Sequence, residues 1–190
     1  MMKALFYALL SLLIGCQSAA ADNTASAEQL LKANLAAVFA VLQRQDLNPE
    51  TKQKEIIEIV NPMFDFSLMA KLTLGRKYWP DLTPGQKERF TRLFIKRLRA
   101  SYLDSLTLYT DETVLYEPPV EVQQKIQIPT YLVSQDKKIS ILYKFYHSES
   151  TWKVYDLEIQ GVSIIRSYRS QFYEILKSGT IDDLLTKLES

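Results

Sequence analysis

The chain has 190 residues, of which 47% are hydrophobic and 24% are charged, and its formal net charge is +1. A nearly neutral chain of this length can bury a sizeable core but has no excess positive charge for a polyanion, which excludes nucleic acid as an expected partner. One cysteine, Cys16, excludes a disulfide within the chain, and one histidine, His147, leaves zinc sites and catalytic triads without enough ligands or a base. We therefore expect no metal and no cofactor.

The N-terminus has the pattern of a secretory signal. Lys3 precedes an apolar run of about eleven residues, which is much shorter than the ~20 residues that span a bilayer. The small residues Ala19-Ala20-Ala21 then form a cleavage site. This pattern predicts a signal peptide over residues 1–21 and a single exported domain over residues 22–190.

A second signal overlaps the first. Leu13-Ile14-Gly15-Cys16 has the form of a lipobox, in which the signal would end at residue 15 and Cys16 would be lipidated. Gln17 follows the cysteine in place of the aspartate associated with retention at the inner membrane, so an anchored form is expected to face the periplasm from the outer membrane. The sequence leaves cleavage after Ala21 and lipidation at Cys16 open.

The first half of the chain predicts four helices. Apolar residues recur there at helical spacing, and each helix has a local start signal. A short third helix is expected to end at Gly75, and a longer fourth helix is expected to run to about Leu106. The start signals are Ser26, Asn48-Pro49, Asp65, and Thr83 with Gln86.

The second half changes to β-branched and aromatic runs separated by short polar turns. These runs predict four antiparallel strands over residues 114–116, 122–132, 139–146 and 152–159. Two helices follow, over about residues 163–177 and 180–188. Helices, then strands, then helices predict an α+β domain with a twisted four-stranded sheet. We expect a half-cone whose concave side is either filled by side chains or open as an apolar pocket.

Asp156 is the one carboxylate with a possible chemical role. Alternation along its strand places it on the face of Trp152 and Val154, among apolar neighbours. A desolvated carboxylate beside a tyrosine can act as a general base. The simpler interpretation is a strand-end aspartate that binds a backbone amide or an arginine such as Arg166 or Arg169.

A basic stripe runs along the predicted fourth helix. Arg89, Arg92, Lys96 and Arg99 recur at helical spacing beside the apolar face. The stripe is either a solvated face or a docking surface for an acidic partner or anionic lipid headgroups.

Three stretches resemble a known family. They are FDFSLMAKLTLGRKYW over residues 64–79, YLDSLTLY over residues 102–109 and WKVYDLEIQGVSIIRSYRSQF over residues 152–172. Their order and spacing are similar to those of the MlaC family, periplasmic phospholipid-binding proteins also described as toluene-tolerance auxiliary proteins. The likeness covers essentially the whole predicted mature chain.

The resemblance implies a non-enzymatic carrier that holds phospholipid acyl chains in an apolar pocket. Such a carrier shuttles lipid between an outer-membrane lipoprotein–porin complex and an inner-membrane Mla-type ABC transporter complex, and so maintains outer-membrane asymmetry. Two acyl chains carry ~30 methylenes, whose exposure to water costs on the order of 20 kcal/mol, so unaided transfer across an aqueous gap is very slow. A lipid carrier needs apolar walls and no catalytic residue.

We expect the pocket wall to include a helical stripe after Gly161 together with apolar residues of the earlier helices and of one strand. The stripe consists of Val162, Ile165, Tyr168 and Phe172. The remaining wall residues are Met69, Leu72, Leu74, Phe94, Leu98, Tyr102, Trp152 and Val154.

Two other functions remain open at this point. The same broad NTF2-like architecture can hold a small-molecule enzyme that uses an Asp/Tyr pair, here Asp156. A structural envelope lipoprotein, in which the pocket is only a core, is favoured if Cys16 is lipidated.

Overall fold

The computed structural model describes residues 15–106, 112–134, 137–149 and 151–189. The predicted signal-peptide residues 1–14 and the end of the 102–109 stretch lie outside the described residues. Six α-helices and six strands make up the described fold. The fold class is α+β, as the sequence predicts.

The helices fall before and after the strands. We number them α1 to α6, and two short 3-10 turns, Asn61–Met63 and Trp79–Asp81, lie between them. The bounds are α1 Gly15–Gln43, α2 Pro49–Val60, α3 Phe66–Tyr78, α4 Pro84–Leu106, α5 Ile164–Leu176 and α6 Ile181–Glu189.

Most of the predicted helix starts are confirmed by their cap hydrogen bonds. The Thr51 amide donates to the Asn48 side chain at 2.8 Å, and the Leu68 amide donates to the Asp65 carboxylate at 2.8 Å. Thr83 and Gln86 form a reciprocal capping box. These caps satisfy amides that have no partner inside the helix.

The predicted start at Ser26 is wrong. Helix α1 already begins at Gly15, so Ser26 lies inside it. The Ser26 hydroxyl instead accepts a hydrogen bond from the Trp152 indole at 2.9 Å. A serine that matches a local capping pattern is used here for a contact between α1 and the sheet.

Helix α3 breaks at Gly75, where the sequence predicts its end. Gly75 has φ 63° and ψ −163°, a conformation that a side chain would strain, and helical residues resume as far as Tyr78. The Tyr173 hydroxyl donates to the Leu74 carbonyl at 3.2 Å beside this break. Helix α5 therefore packs against the bend in α3.

The sheet has six strands, two more than the sequence predicts. Antiparallel pairing gives the order β1-β3-β4-β5-β6, and β2 pairs with the same edge of β3 as β1 does. The bounds are β1 Thr113–Tyr116, β2 Val120–Val122, β3 Lys125–Val133, β4 Lys138–Ser148, β5 Thr151–Ile159 and β6 Val162–Ser163.

Each additional strand is separated from its neighbour by a tight two-residue turn. Gln123 and Gln124 form a two-residue turn with φ of 51° and 61°, which divides the predicted strand over residues 122–132. Gln160 and Gly161, with φ of 50° and 78°, turn the chain into the short strand β6. Tight hairpins with two positive φ angles normally carry Asn-Gly, so the glutamine pair gave no signal.

The register of the sheet separates an inner from an outer face. Ile126 pairs with Phe145, Ile128 with Tyr143, and Thr130 with Ile141. Directly paired residues share a face, so these side chains define what we call the inner face. A bulge between Lys144 and Phe145 shifts the pairing with β5.

Three hydrophobic clusters hold the domain together. The helical core consists of α3 to α6 and is centred on Phe90, Phe94 and Phe172. The sheet core lies between α1 and the inner face. The third cluster joins the C-terminal part of α1 to α2.

Within the described residues, the segment Asn23–Gln43 of α1 has the length and mean hydropathy, 1.2, that a membrane span requires. Part of the segment packs on the sheet and on α2, and signal sequences and core helices also pass this test.

Candidate functional site

The inner face of the sheet has a covered half and an open half. Ala27 and Leu31 of α1 pack on the covered half, where side chains are almost fully buried. Helix α1 then leaves the sheet, because Val38, Val41 and Leu42 pack with Ile56 of α2 instead. The open half consists of the half-buried residues Val114, Tyr116, Leu132, Ile139, Ile141 and Ile159.

The open half carries no charged side chain. Pairing in β1, β3, β4 and β5 places the described lysines, aspartates and glutamates of these strands on the outer face. The Thr130 hydroxyl, which is buried, donates to the Ile141 carbonyl at 3.0 Å. The surface therefore offers apolar contact to a ligand and no charged side chain.

Two tyrosines mark the boundary between the halves. Tyr143 is buried, and burial raises the pKa of its hydroxyl well above the usual range. Burial also raises the pKa of Tyr116, whose ring lies 5.1 Å from the Lys32 amino group. Both hydroxyls stay neutral at physiological pH, and the Lys32 amino group over Tyr116 is itself paired with Glu28 at 2.6 Å.

Most of the predicted pocket residues lie in the helical core. Their side chains are at most 7% exposed and pack against one another, with Phe94 and Tyr168 in an edge-to-face contact at 5.3 Å. The residues in this group are Met69, Leu74, Phe94, Leu98, Ile165, Tyr168 and Phe172. Their contact with a lipid stays a prediction, and it requires the helices to separate.

The other predicted pocket residues are spread over the fold. Trp152 and Val154 lie in the covered half, beneath α1. Leu72 is half-buried beside the helical core, and Tyr102 of α4 is 37% exposed.

The predicted stripe on α5 is wrong at Val162. This residue lies in β6, before the helix begins at Ile164, and its side chain is 60% exposed. The hairpin at Gln160 and Gly161 pairs Val162 with Ile159, so Val162 lies on the inner face beside the open half and outside the helical stripe. Its contact with a lipid stays a prediction. The remaining three residues, Ile165, Tyr168 and Phe172, do share one buried face.

The sequence analysis missed the residues of the open half. Their signal was present, because Leu132, Ile139 and Ile141 occupy alternate positions of two predicted strands. Alternation identifies the inner face, but it does not show where α1 stops covering it.

Asp156 forms a structural junction between β5 and α5. Its carboxylate accepts from the Ser163 hydroxyl at 2.8 Å and the Ile165 amide at 3.2 Å, and it pairs with Lys144 at 3.3 Å. Glu158 binds the same lysine at 2.8 Å. The backbone-amide interpretation of Asp156 is confirmed, with Lys144 as its ionic partner in place of the predicted arginines. The predicted face is wrong, because the bulge pairs Asp156 with Lys144 on the outer face, opposite Trp152 and Val154.

The basic stripe borders a cavity of about 720 Å³ beside α4. Three of its four predicted residues, Arg92, Lys96 and Arg99, line this cavity. Arg89 does not, because it pairs with Glu189 of α6 at 2.9 Å. We call this cavity the α4 groove; its other lining residues are Ser67, Trp79, Lys87, Glu88, Thr91 and Ile95.

Among the described residues, no group of three or more His, Cys, Asp or Glu side chains is placed to hold a metal ion. His147 packs edge-on against the Trp152 ring at 5.1 Å. Cys16 lies near the start of α1.

Comparison with known proteins provides an independent view. A family model described as "MlaC protein" matches residues 32–190. The chain is 26% identical over 134 residues to the intermembrane phospholipid transport system binding protein MlaC of Haemophilus influenzae. It is 21% identical over 137 residues to the toluene tolerance protein ttg2D of Pseudomonas putida.

The matched segments cover 67% and 71% of this chain, but only 62% and 64% of those two relatives, which is less than two thirds of their length. A solved structure shares the fold with a TM-score of 0.77 and 24% identity, covering 86% of this chain and 95% of the other. That structure is the phospholipid-binding protein from Ralstonia solanacearum in complex with a phospholipid.

Proposed function

The chain belongs to the MlaC family, and from this premise we propose that it binds phospholipid and carries it through an aqueous compartment. The open half of the inner face is the proposed contact surface for the acyl chains. The relatives named for phospholipid transport and phospholipid binding support this assignment.

One observation carries the proposal. A set of apolar side chains on one face of the sheet stays half-buried, while the other half of that face is sealed by α1. Exposed apolar surface costs ~25 cal/mol per Å², so a contiguous set of such residues favours an apolar ligand. The absence of charge among them matches methylene chains and gives no means to select a headgroup.

The helical core is the alternative contact surface, which acyl chains would reach only if its helices separate. Leu157 packs against both the helical core and the sheet core, and Ile159 joins the open half to the helical core. If α4 and α5 move away from the sheet, residues such as Leu98 and Tyr168 become available to an acyl chain. In that case the pocket residues predicted from the sequence would form part of an enlarged lipid site.

We further propose that the protein is the periplasmic component of an Mla-type system. In this role it exchanges lipid with an inner-membrane ABC transporter complex and an outer-membrane lipoprotein–porin complex, and it maintains outer-membrane lipid asymmetry. The basic residues Arg92, Lys96 and Arg99 are the proposed docking contacts, and Arg89 is the weakest of the predicted set because Glu189 neutralises it.

The enzyme alternative gains no support at Asp156. Both of its carboxylate oxygens accept hydrogen bonds, and Lys144 adds an ion pair. A general base needs a free lone pair directed at its substrate. The buried aspartate stabilises the start of α5 instead.

The purified protein tests the proposal directly. We expect organic extraction followed by mass spectrometry to find diacyl phospholipid, with little selectivity among headgroups. The protein should also speed the transfer of a fluorescent phospholipid between donor and acceptor vesicles. A protein that holds no lipid and transfers none would contradict the proposal, and strong preference for one headgroup would contradict apolar recognition.

The two N-terminal processing routes need their own experiment. Incorporation of labelled palmitate into the wild type but not into Cys16→Ser would show that the protein is a lipoprotein. Its membrane anchor would then restrict how far it diffuses. A mature N-terminus at Asp22 would show a freely diffusing carrier.

A further inference from the structure

The α4 groove has an excess of positive charge. Lys87, Arg92, Lys96 and Arg99 line it, against the single carboxylate of Glu88. The chain as a whole is almost neutral, with 23 basic and 22 acidic residues. The positive charge is therefore local, and it is concentrated around one cavity.

Two of these cations are held in place and two are free to bind. Arg99 donates to the Asn61 side chain at 2.9 Å and lies over the Phe66 ring, and Lys87 lies 5.8 Å from the centre of the Trp79 ring. Arg92 and Lys96 are exposed, and no described carboxylate forms an ion pair with either of them. Their spacing of four residues places like charges side by side on a helix, which is unfavourable without an anion between them.

The groove also has an apolar part. The Trp79 ring and the half-buried side chain of Ile95 line it together with the hydroxyls of Ser67 and Thr91. Apolar residues flanked by cations match a ligand with an apolar anchor flanked by carboxylates.

We propose that the α4 groove is a docking site for an acidic amphipathic helix of a partner protein. A concave site of about 720 Å³ can receive a protruding apolar side chain while its cations pair with the neighbouring carboxylates. This inference rests on the proposed docking role of Arg92, Lys96 and Arg99, but it does not depend on the identity of the lipid or on the role of the open half.

The structure favours a peptide over a membrane surface. A helix that binds a bilayer inserts an apolar face beside its cations. In the described part of α4, Phe90, Phe94 and Leu98 are buried in the helical core, so this part of the helix exposes no continuous apolar face for insertion. Ile95 is the half-buried apolar residue that it contributes to the groove. Trp79 lines the groove and is only half-buried, but a flat bilayer touches the rim of a concave site without filling it.

The test uses the full-length protein and a synthetic helical peptide of roughly 18 residues with four glutamates flanking a leucine stripe. A control peptide has glutamine in place of each glutamate. Calorimetry measures the affinity, and the fluorescence of Trp79 reports the location, because Trp152 is buried beneath α1. We expect saturable binding of the acidic peptide, weaker binding of its control, and loss of the fluorescence change in Trp79→Phe.

A charge-reversed variant and a matched control locate the site. Arg92→Glu with Lys96→Glu should weaken binding at least about tenfold, because two attractive pairs become repulsive. Lys71→Glu with Arg97→Glu changes the net charge equally at exposed positions outside the groove and should alter the affinity less than about twofold. Arg92→Gln with Lys96→Gln gives a milder variant if the reversal lowers the melting temperature.

Several results would overturn the proposal. These are equal weakening in the groove and control variants, absence of saturable binding, or equal affinity for the two peptides. Phosphatidylglycerol vesicles that bind the wild type while the acidic peptide does not would assign the groove to a membrane surface instead.

Discussion

The two halves of the inner face contain the same kinds of residue and differ in what lies above them. In the covered half, Ile126, Ile128, Phe145 and Val154 are at most 1% exposed. In the open half, residues such as Ile141 keep part of their apolar surface accessible. One largely apolar sheet face thus serves as a core at one end and offers a ligand surface at the other.

The course of α1 creates this difference. Ala27 and Leu31 pack on the sheet, and only a few residues later Val38 and Leu42 pack on Ile56 of α2. The α1–α2 contact draws the helix away from the sheet before it reaches the open half. The placement of one helix therefore determines how much apolar surface the protein presents.

The largest expected effect comes from truncating one side chain in each half of the inner face. Phe145→Ala removes a fully buried ring and should lower the free energy of unfolding by about 3–5 kcal/mol. Ile141→Ala, on the same strand in the open half, should cost about 1 kcal/mol, because part of its surface is already exposed. Denaturant unfolding of lipid-free protein measures both, and equal losses would mean that the halves are packed alike.

A second prediction perturbs the start of α5 without touching the inner face. Asp156→Asn removes the charge that binds Lys144 and should cost about 1.5–3 kcal/mol, the usual worth of a charged hydrogen bond. Thermal melting measures the loss, and vesicle transfer by the folded protein should not change. Loss of a catalytic turnover at an unchanged melting temperature would argue for the enzyme alternative.

A third prediction concerns the packing of the helical core, which is either closed like the covered half or open to a ligand like the open half. Ile165 is only 6% exposed, so Ile165→Trp should strain its neighbours and cost about 1–3 kcal/mol. We expect the lipid bound per folded protein to stay constant. A stable variant emptied of lipid would instead place the acyl chains among α3, α4 and α5.

The smallest effect is expected at the covered end of the sheet, in the turn between β2 and β3. Gln123→Asn with Gln124→Gly supplies residues suited to positive φ and should stabilise the protein by about 1 kcal/mol. Lipid binding should not respond, since the turn lies away from the open half. A change in bound lipid would mean that the covered end takes part in binding.

The sequence predicts those features that have local causes. Asn48, Asp65 and the Thr83–Gln86 pair bind amides within three residues, so their patterns identify three helix starts. The Gln123–Gln124 turn has no glycine or asparagine to mark it. The short strand β6 is two residues long, too short for periodicity to reveal.

The site depends on contacts that are distant in the chain, and these are harder to predict. The α5 stripe was correctly identified as apolar at Tyr168 and Phe172, but Phe90 and Phe94, more than seventy positions earlier, bury both residues. The open half exists because of how far α1 extends over the sheet, and helical periodicity carries no information about that limit.

The proposal that acyl chains lie on the open half is tested most directly by neighbouring residues of β4. Ile141 lies on the inner face and Leu142 on the outer face, and both are half-buried. The measurement is phospholipid bound per folded protein, by mass spectrometry, for Ile141→Glu and Leu142→Glu. We predict that Ile141→Glu loses bound lipid by at least about tenfold, because a charge is placed against methylenes, while Leu142→Glu retains it. Equal lipid content in the two variants would contradict the account.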